Sequence, residues 1–351
     1  MSQGQKLAAG FYRDVVAALL DVPHAAALVG EGSEVLGFDD NRSPDHAWGP
    51  RLHVFVEADA VEEVTRRVDD GLPDTYQSLP VRFYAWQDRR VRHHVAVATV
   101  EDWVQSELGR PVPAGSASWL GLPQQRLLQV TAGVVFHDDA GDLTRLRHQL
   151  AYYPDDVWWW MQASQWQLIA NVEALPGRLA EAGDFRGASM IAALLARLLT
   201  ELTFLQQRRY WPYLKWLSTA FGQLEGAERL GPWLDQLMCA RTPSDREAAL
   251  IASLEIVAAR HNRLDSDQLL DPACKPFEVG INDARRPYLV LNAERFTHAC
   301  LRKVTDSELR RLTPVGAIDQ LTHSSDQLAN FSRWPSSLTA VYDDLLKHSQ
   351  R

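Results

Sequence analysis

Apolar residues recur at helical spacing from Gln5 to Leu20 and stop before Pro23, so the chain opens on an amphipathic helix. Ala25 to Val29 is an unbroken apolar run of strand length, and Leu52 to Val56 alternates as a half-buried strand does. Between them, residues 30 to 50 are rich in Gly, Asp, Asn, Pro and Ser and read as a loop that wraps around something. Val61 to Val68 predicts a helix, and Val81 to Trp86 and Val95 to Val100 predict two further strands. From about Leu127 the strand signals nearly vanish. Helical periodicity then runs through Leu143 to Leu150, Asp155 to Ala170, Ala188 to Arg208, Tyr213 to Leu224, Arg246 to Ala259 and Ala293 to Val304. A short extended piece at Phe277 to Leu291 interrupts the helices and has no place in this pattern.

The pattern predicts an α+β chain, with an N-terminal mixed-sheet α/β domain over residues 1–125 and an all-helical domain over residues 126–351. The most linker-like stretch is Arg110-Pro111-Val112-Pro113-Ala114-Gly115-Ser116. A length of 351 residues with 46% hydrophobic content supports two cores, and a net charge of −9 argues against a nucleic-acid surface. The three cysteines, Cys239, Cys274 and Cys300, are too widely spaced to suggest a disulfide framework or a zinc site, which points to the cytoplasm. No export signal is read at the start. The greasy run Ala188 to Leu205 carries Arg197 and Glu201, so a buried helix is expected there and no membrane partner.

Candidate chemistry concentrates in the loop after the first strand. Leu28-Val29-Gly30-Glu31-Gly32-Ser33 offers glycines that let a phosphate approach the backbone and a serine hydroxyl that can donate to it. Asp45 is the leading magnesium ligand, with Asp39 and Asp40 in the same loop as substitutes or as turn caps. A carboxylate pair two residues apart would project from one face of a strand, yet Ala47 stands at that distance from Asp45. Neither face of the strand around Val95 to Thr99 supplies a third carboxylate. Val35 occupies the third glycine position of a dinucleotide fingerprint, no Walker lysine follows, and no nucleophile elbow surrounds Ser33.

Five segments carry a family resemblance: residues 32 to 40 (Gly-Ser-Glu-Val-Leu-Gly-Phe-Asp-Asp), 45 to 51 (Asp-His-Ala-Trp-Gly-Pro-Arg), 131 to 138, 152 to 158 and 208 to 217. Together they resemble the bacterial family catalogued as domain of unknown function 4037, which is grouped with nucleotidyltransferase-like proteins. The resemblance implies a nucleotidyltransferase-like first domain, Mg2+ as cofactor, and a nucleoside triphosphate and a small-molecule hydroxyl acceptor as partners. Family members read Asp-His-Asp where this chain reads Asp45-His46-Ala47, which removes an expected ligand. Two readings follow: transfer of a nucleoside monophosphate with Asp45 as the catalytic metal ligand, or a degenerate, non-catalytic protein that binds a ligand or partner in the same cleft.

The second concentration of signal is Arg208-Arg209-Tyr210-Trp211-Pro212-Tyr213-Leu214-Lys215-Trp216. Arg208 and Arg209 suit an anionic group, and Tyr210, Tyr213 and Trp216 suit a flat one. By the resemblance, Lys215 matches a helix-borne lysine that touches a triphosphate. The same rings would serve equally as packing between helices. Trp158, Trp159, Trp160 and Trp166 cannot share one helix face and read mainly as core. His93-His94 and His137-Asp138-Asp139 are metal ligands by residue type, each without a matching second pair.

Overall fold

The computed structural model describes residues 1–45, 48–85, 88–265, 268–278, 285–314, 316–323 and 334–348. The chain divides into two compact units, Met1–Val112 with Gln125–Ala151, and Pro113–Gln124 with Tyr152–Arg351. Each is described by itself.

The first unit opens on α1 (Gln3–Asp14), started by a capping box in which Ser2 and Gln5 satisfy each other's backbone N–H groups. β1 (Ala25–Leu28) then leads through a turn into α2 (Ser33–Leu36), and β2 (Arg51–Phe55) returns antiparallel to β1. After α3 (Val61–Gly71) and the small hairpin β3 (Thr75–Tyr76) and β4 (Leu79–Pro80), β5 (Arg82–Ala85) pairs with the long β6 (Asp88–Ala98). The second half of β6 lies parallel to β2, with Leu52 opposite Val95 and Val54 opposite Val97. α4 (Val100–Leu108) follows, N-capped by Thr99. α5 (Ser116–Trp119) belongs to the second unit, after which α6 (Gln124–Thr131), β7 (Val134–Asp138) and α7 (Asp142–Gln149) return to the first.

The resulting mixed sheet has the order β5-β6-β2-β1-β7. β1 lies between β2 and β7 and is buried along its whole length, which is why it reads as a continuous apolar run rather than an alternating one. Leu7 and Phe11 of α1 and Val64 and Val68 of α3 cover one face, against Ala26, Leu52, Val54 and Val95. Phe11 is fully buried, and its truncation to alanine should cost about 3–5 kcal/mol. The sequence reading places residues 126 onward in the helical domain. The structure groups 125–151 with the sheet, because β7 pairs along β1 from Ala25–Asp138 to Leu28–Val134.

The second unit contains α8 (Asp155–Val172), α9 (Leu175–Glu181), α10 (Phe185–Gln206), α11 (Leu214–Phe221), α12 (Ala227–Cys239), α13 (Pro243–Leu264) and α14 (Glu294–Lys303). Among its described residues it is helical but for one antiparallel strand pair, β8 (Lys275–Glu278) with β9 (Arg285–Val290), which accounts for the extended piece that interrupts the helical pattern. Trp160 and Trp166 are fully buried, the latter stacked on Phe296 at 4.5 Å. Trp158 is buried too and its Nε1 donates to the Leu205 carbonyl at 2.6 Å. α10 is long and apolar enough to cross a membrane by length and composition. It lies largely buried within this unit, however, and its Glu201 receives Arg197 at 2.7 Å and Gln165 at 3.2 Å. That is the character of a core helix with one polar edge.

Candidate functional site

The turn that leaves β1 is built around two glycines with left-handed backbone, Gly30 (φ +86°) and Gly32 (φ +135°). Gly30 N–H donates to the Gln129 carbonyl at 2.9 Å, anchoring the turn to α6. Gly32 is required for a second reason. A Cβ there would collide with the Arg51 guanidinium and stand 2.6 and 2.7 Å from the two carboxylate oxygens of Glu34. Arg51, the first residue of β2, reaches across the turn: its Nε donates to Glu34 Oε1 at 2.6 Å and its Nη2 to the Glu31 carbonyl. The close approach anticipated for a phosphate is made here by the chain's own ion pair.

Ser33 Oγ donates to Ser43 Oγ at 3.2 Å and so ties the long loop back to the turn. Within that loop Asp40 Oδ1 accepts from the N–H groups of Arg42 and Ser43 at 2.9 and 3.2 Å, an Asx turn. Asp39 Oδ2 accepts from Gly4 N–H at 2.7 Å and Trp48 Nε1 at 3.4 Å, where the N-terminus of α1 favours an anion. Its other oxygen is sealed from solvent with no partner. Asp45 ends a 3₁₀ turn over Ser43–Asp45, but its side chain, together with His46 and Ala47, lies outside the described residues. Among the described residues, no three carboxylate, imidazole or thiol donors converge at this turn.

Beneath the turn the structure assembles residues that no motif singled out. His53 Cε1 and Glu107 Oε1 lie 3.6 and 3.9 Å from the position a Cβ on Gly30 would take. Arg126 of α6 pairs with Glu107 Oε2 at 3.7 Å. Burial raises the Glu107 pKa and Glu31 adds to that, while Arg126 and Arg51 pull it down. Burial, aided by the Arg51 charge, pushes His53 down to about 3, and its Nδ1 is sealed from water without a partner. His53 is therefore neutral near pH 7. The Trp103 ring, 5.7 Å away, closes that side. Glu107 brings a carboxylate beneath the turn from α4, where strand phase gives no warning of it. Arg51 alone had a sequence signal, as the last residue of the 45 to 51 block.

The aromatic and basic segment lies in the second unit. Arg208 leaves α10 with left-handed backbone (φ +52°), its guanidinium 3.7 Å above the Trp158 ring and 2.7 Å from Asp155. Tyr210 is buried against Tyr152 and Tyr153, with centroids 4.9 and 5.2 Å away, and burial raises its pKa. Trp216 Nε1 donates to the Tyr213 hydroxyl at 2.6 Å, and Lys215 Nζ stands 4.9 Å from the Trp216 ring. Arg209 and Lys215 are exposed. Gly32, Ser33, Asp39, Asp40 and Asp45 belong to the first unit.

The first unit also has a cleft of about 830 Å³ at the opposite end of β1 and β2 from the glycine turn. Phe55, Glu57, Glu101, Asp102, Asp138 and Arg145 are among its lining residues. That excess of carboxylates would repel a triphosphate.

Residues 119–217 match the model of the family described as "Domain of unknown function (DUF4037)". The blocks at 131 to 138, 152 to 158 and 208 to 217 fall inside that match, and the two blocks around the glycine turn fall outside it. No curated protein matches the chain. Among solved structures, a nucleotidyltransferase-like protein from Exiguobacterium sibiricum 255-15 is 12% identical, with 79% of this chain and 82% of that chain covered at a TM-score of 0.32. That likeness is too slight to carry a fold or an activity across.

Proposed function

We propose that the first unit is a nucleotidyltransferase-like module that binds the phosphates of a nucleoside triphosphate at the Gly30–Ser33 turn without a two-metal catalytic centre. The observation that carries this reading is Arg51. Glu34 and the Glu31 carbonyl hold its guanidinium inside the turn, so a phosphate bound there would draw Arg51 away from Glu34. Against transfer stand Ala47, the Asx turn that engages Asp40, and the bonds from Gly4 N–H and Trp48 Nε1 that engage Asp39 Oδ2. Two-metal phosphoryl transfer needs carboxylates converging on both ions. No step through magnesium is therefore derived.

Nucleotidyl transfer to a small-molecule hydroxyl is the second reading, favoured by the Ser33–Ser43 hydrogen bond that tethers the loop bearing Asp45 to the turn. Under it Asp45 holds magnesium, and Gly32 and Ser33 hold the phosphates. Restoring the carboxylate separates the two. If the site has lost its metal, Ala47→Asp makes nucleotide binding magnesium-dependent where the parent protein's is not. Equal magnesium dependence in parent and variant would show that position 47 never belonged to a metal site.

A further inference from the structure

At the β7 edge of the first unit, away from the glycine turn, His24, His137 and Asp139 each present one ligand atom within 4.8 Å of the others. The geometry points to a divalent transition-metal site of the zinc class formed by these three side chains. Two imidazoles and one carboxylate form a nitrogen-rich, borderline donor set that suits Zn2+ or Co2+ and not Mg2+ or Ca2+. Catalytic and regulatory sites of this kind use three protein ligands and leave a fourth position open.

The surrounding contacts fix the ligands as a metal site requires. His24 is nearly buried, and its Nδ1 lies 2.8 Å from the Val22 carbonyl, to which it donates. Nε2 then carries the lone pair, which accepts from the Tyr12 hydroxyl at 2.9 Å and which a metal ion would take in that hydroxyl's place. A ring N–H held by a backbone carbonyl is the usual way a ligating histidine is oriented. Asp139 is held as well: its Oδ2 accepts from the His24 backbone N–H at 3.0 Å. His137 Nε2 stands 2.8 Å from Asp139 Oδ1, and the two imidazoles lie 4.6 Å apart.

Ligand atoms at about 2.0–2.1 Å from a tetrahedral zinc stand roughly 3.3 Å from one another. The set must therefore contract a little, and its two more exposed members can move. His137 and Asp139 retain 38% and 42% of their side-chain exposure, whereas His24 is held at Nδ1 by the Val22 carbonyl. Register explains the juxtaposition, since His137 pairs with Ala26 across the β1–β7 ladder and Asp139 N–H donates to the His24 carbonyl at 3.1 Å. In sequence the pieces are more than a hundred residues apart, which is why His137 had no visible second ligand.

The test is a titration of the full chain, freed of any polyhistidine tag, with Co2+ and then with Zn2+ against a chromophoric chelator. One equivalent per chain is expected, with a visible Co2+ ligand-field band that Zn2+ bleaches. His137→Gln and Asp139→Asn should each weaken binding by at least about tenfold. His93→Gln should leave it unchanged, since His93 pairs with Asp69 elsewhere in the unit. Absence of stoichiometric binding would overturn the proposal. So would undiminished binding by both ligand variants with circular dichroism and melting temperature like the parent's.

Discussion

Replacing Gly32 with alanine tests whether this glycine exists for the Arg51–Glu34 pair. The residue sits at φ +135°, ψ 146°, a region essentially reserved for glycine, where a side chain costs about 1–3 kcal/mol. The new methyl would also displace the guanidinium and the carboxylate 2.6 Å away, breaking a charge-assisted hydrogen bond whose loss costs about 1.5–3 kcal/mol. The expected penalty is then about 2.5–6 kcal/mol. Gly30→Ala is the internal control, because its φ is +86° but its nearest atoms are 3.6 Å away, so strain alone remains. Two units make a single global transition an unsafe measure. Native-state hydrogen exchange at β1 and β2 amides reads the first unit alone. Gly32→Ala should lower protection more than Gly30→Ala, and a Glu34→Ala background should remove most of the difference. Equal losses from the two alanines would refute the reasoning.

Two further predictions rest on the same structure. His53 is held at about 3 against an ordinary 6.5, so the stability its neutral form provides is complete above pH 6.5 and is lost as pH falls toward 3. Hydrogen-exchange protection factors of β1 and β2 amides across that window should fall less steeply for His53→Gln than for the parent, and parallel curves would contradict the burial argument. Arg208→Ala should destabilise the second unit by about 1 kcal/mol, through loss of the Trp158 face and the Asp155 pair, with nucleotide affinity unchanged. A loss of affinity without a loss of stability would instead make Arg208 a phosphate ligand.

Most of the architecture was legible because its elements carry strong local patterns. β1, β2, α3, α8 and α10 all fall where apolar periodicity places them. β7 was not legible: Val134–Asp138 is a short edge strand that owes its place to pairing with β1 across more than a hundred residues. The first half of β6 was hidden in the same way, since Arg89, Arg90 and Arg92 give no apolar alternation. At the site, the glycine turn and the Asp39–Asp40 loop could be read because Gly, Ser and Asp mark turns locally. Glu107, Arg126 and His53 could not, because each sits on an ordinary helix or strand and converges with the others only through tertiary packing. Arg51 shows the limit from the other side. Its block was visible in sequence, yet nothing in a linear reading says that an arginine would fill the space glycine leaves.

The most direct test of phosphate binding at the turn is isothermal titration of the parent protein and an Asp45→Asn variant with ATP, GTP, CTP and UTP, each with and without magnesium. The account predicts that one nucleotide binds the parent with an affinity that magnesium does not change, and that Asp45→Asn binds it equally well. Binding that requires magnesium and disappears in Asp45→Asn would contradict it and place a metal centre at Asp45.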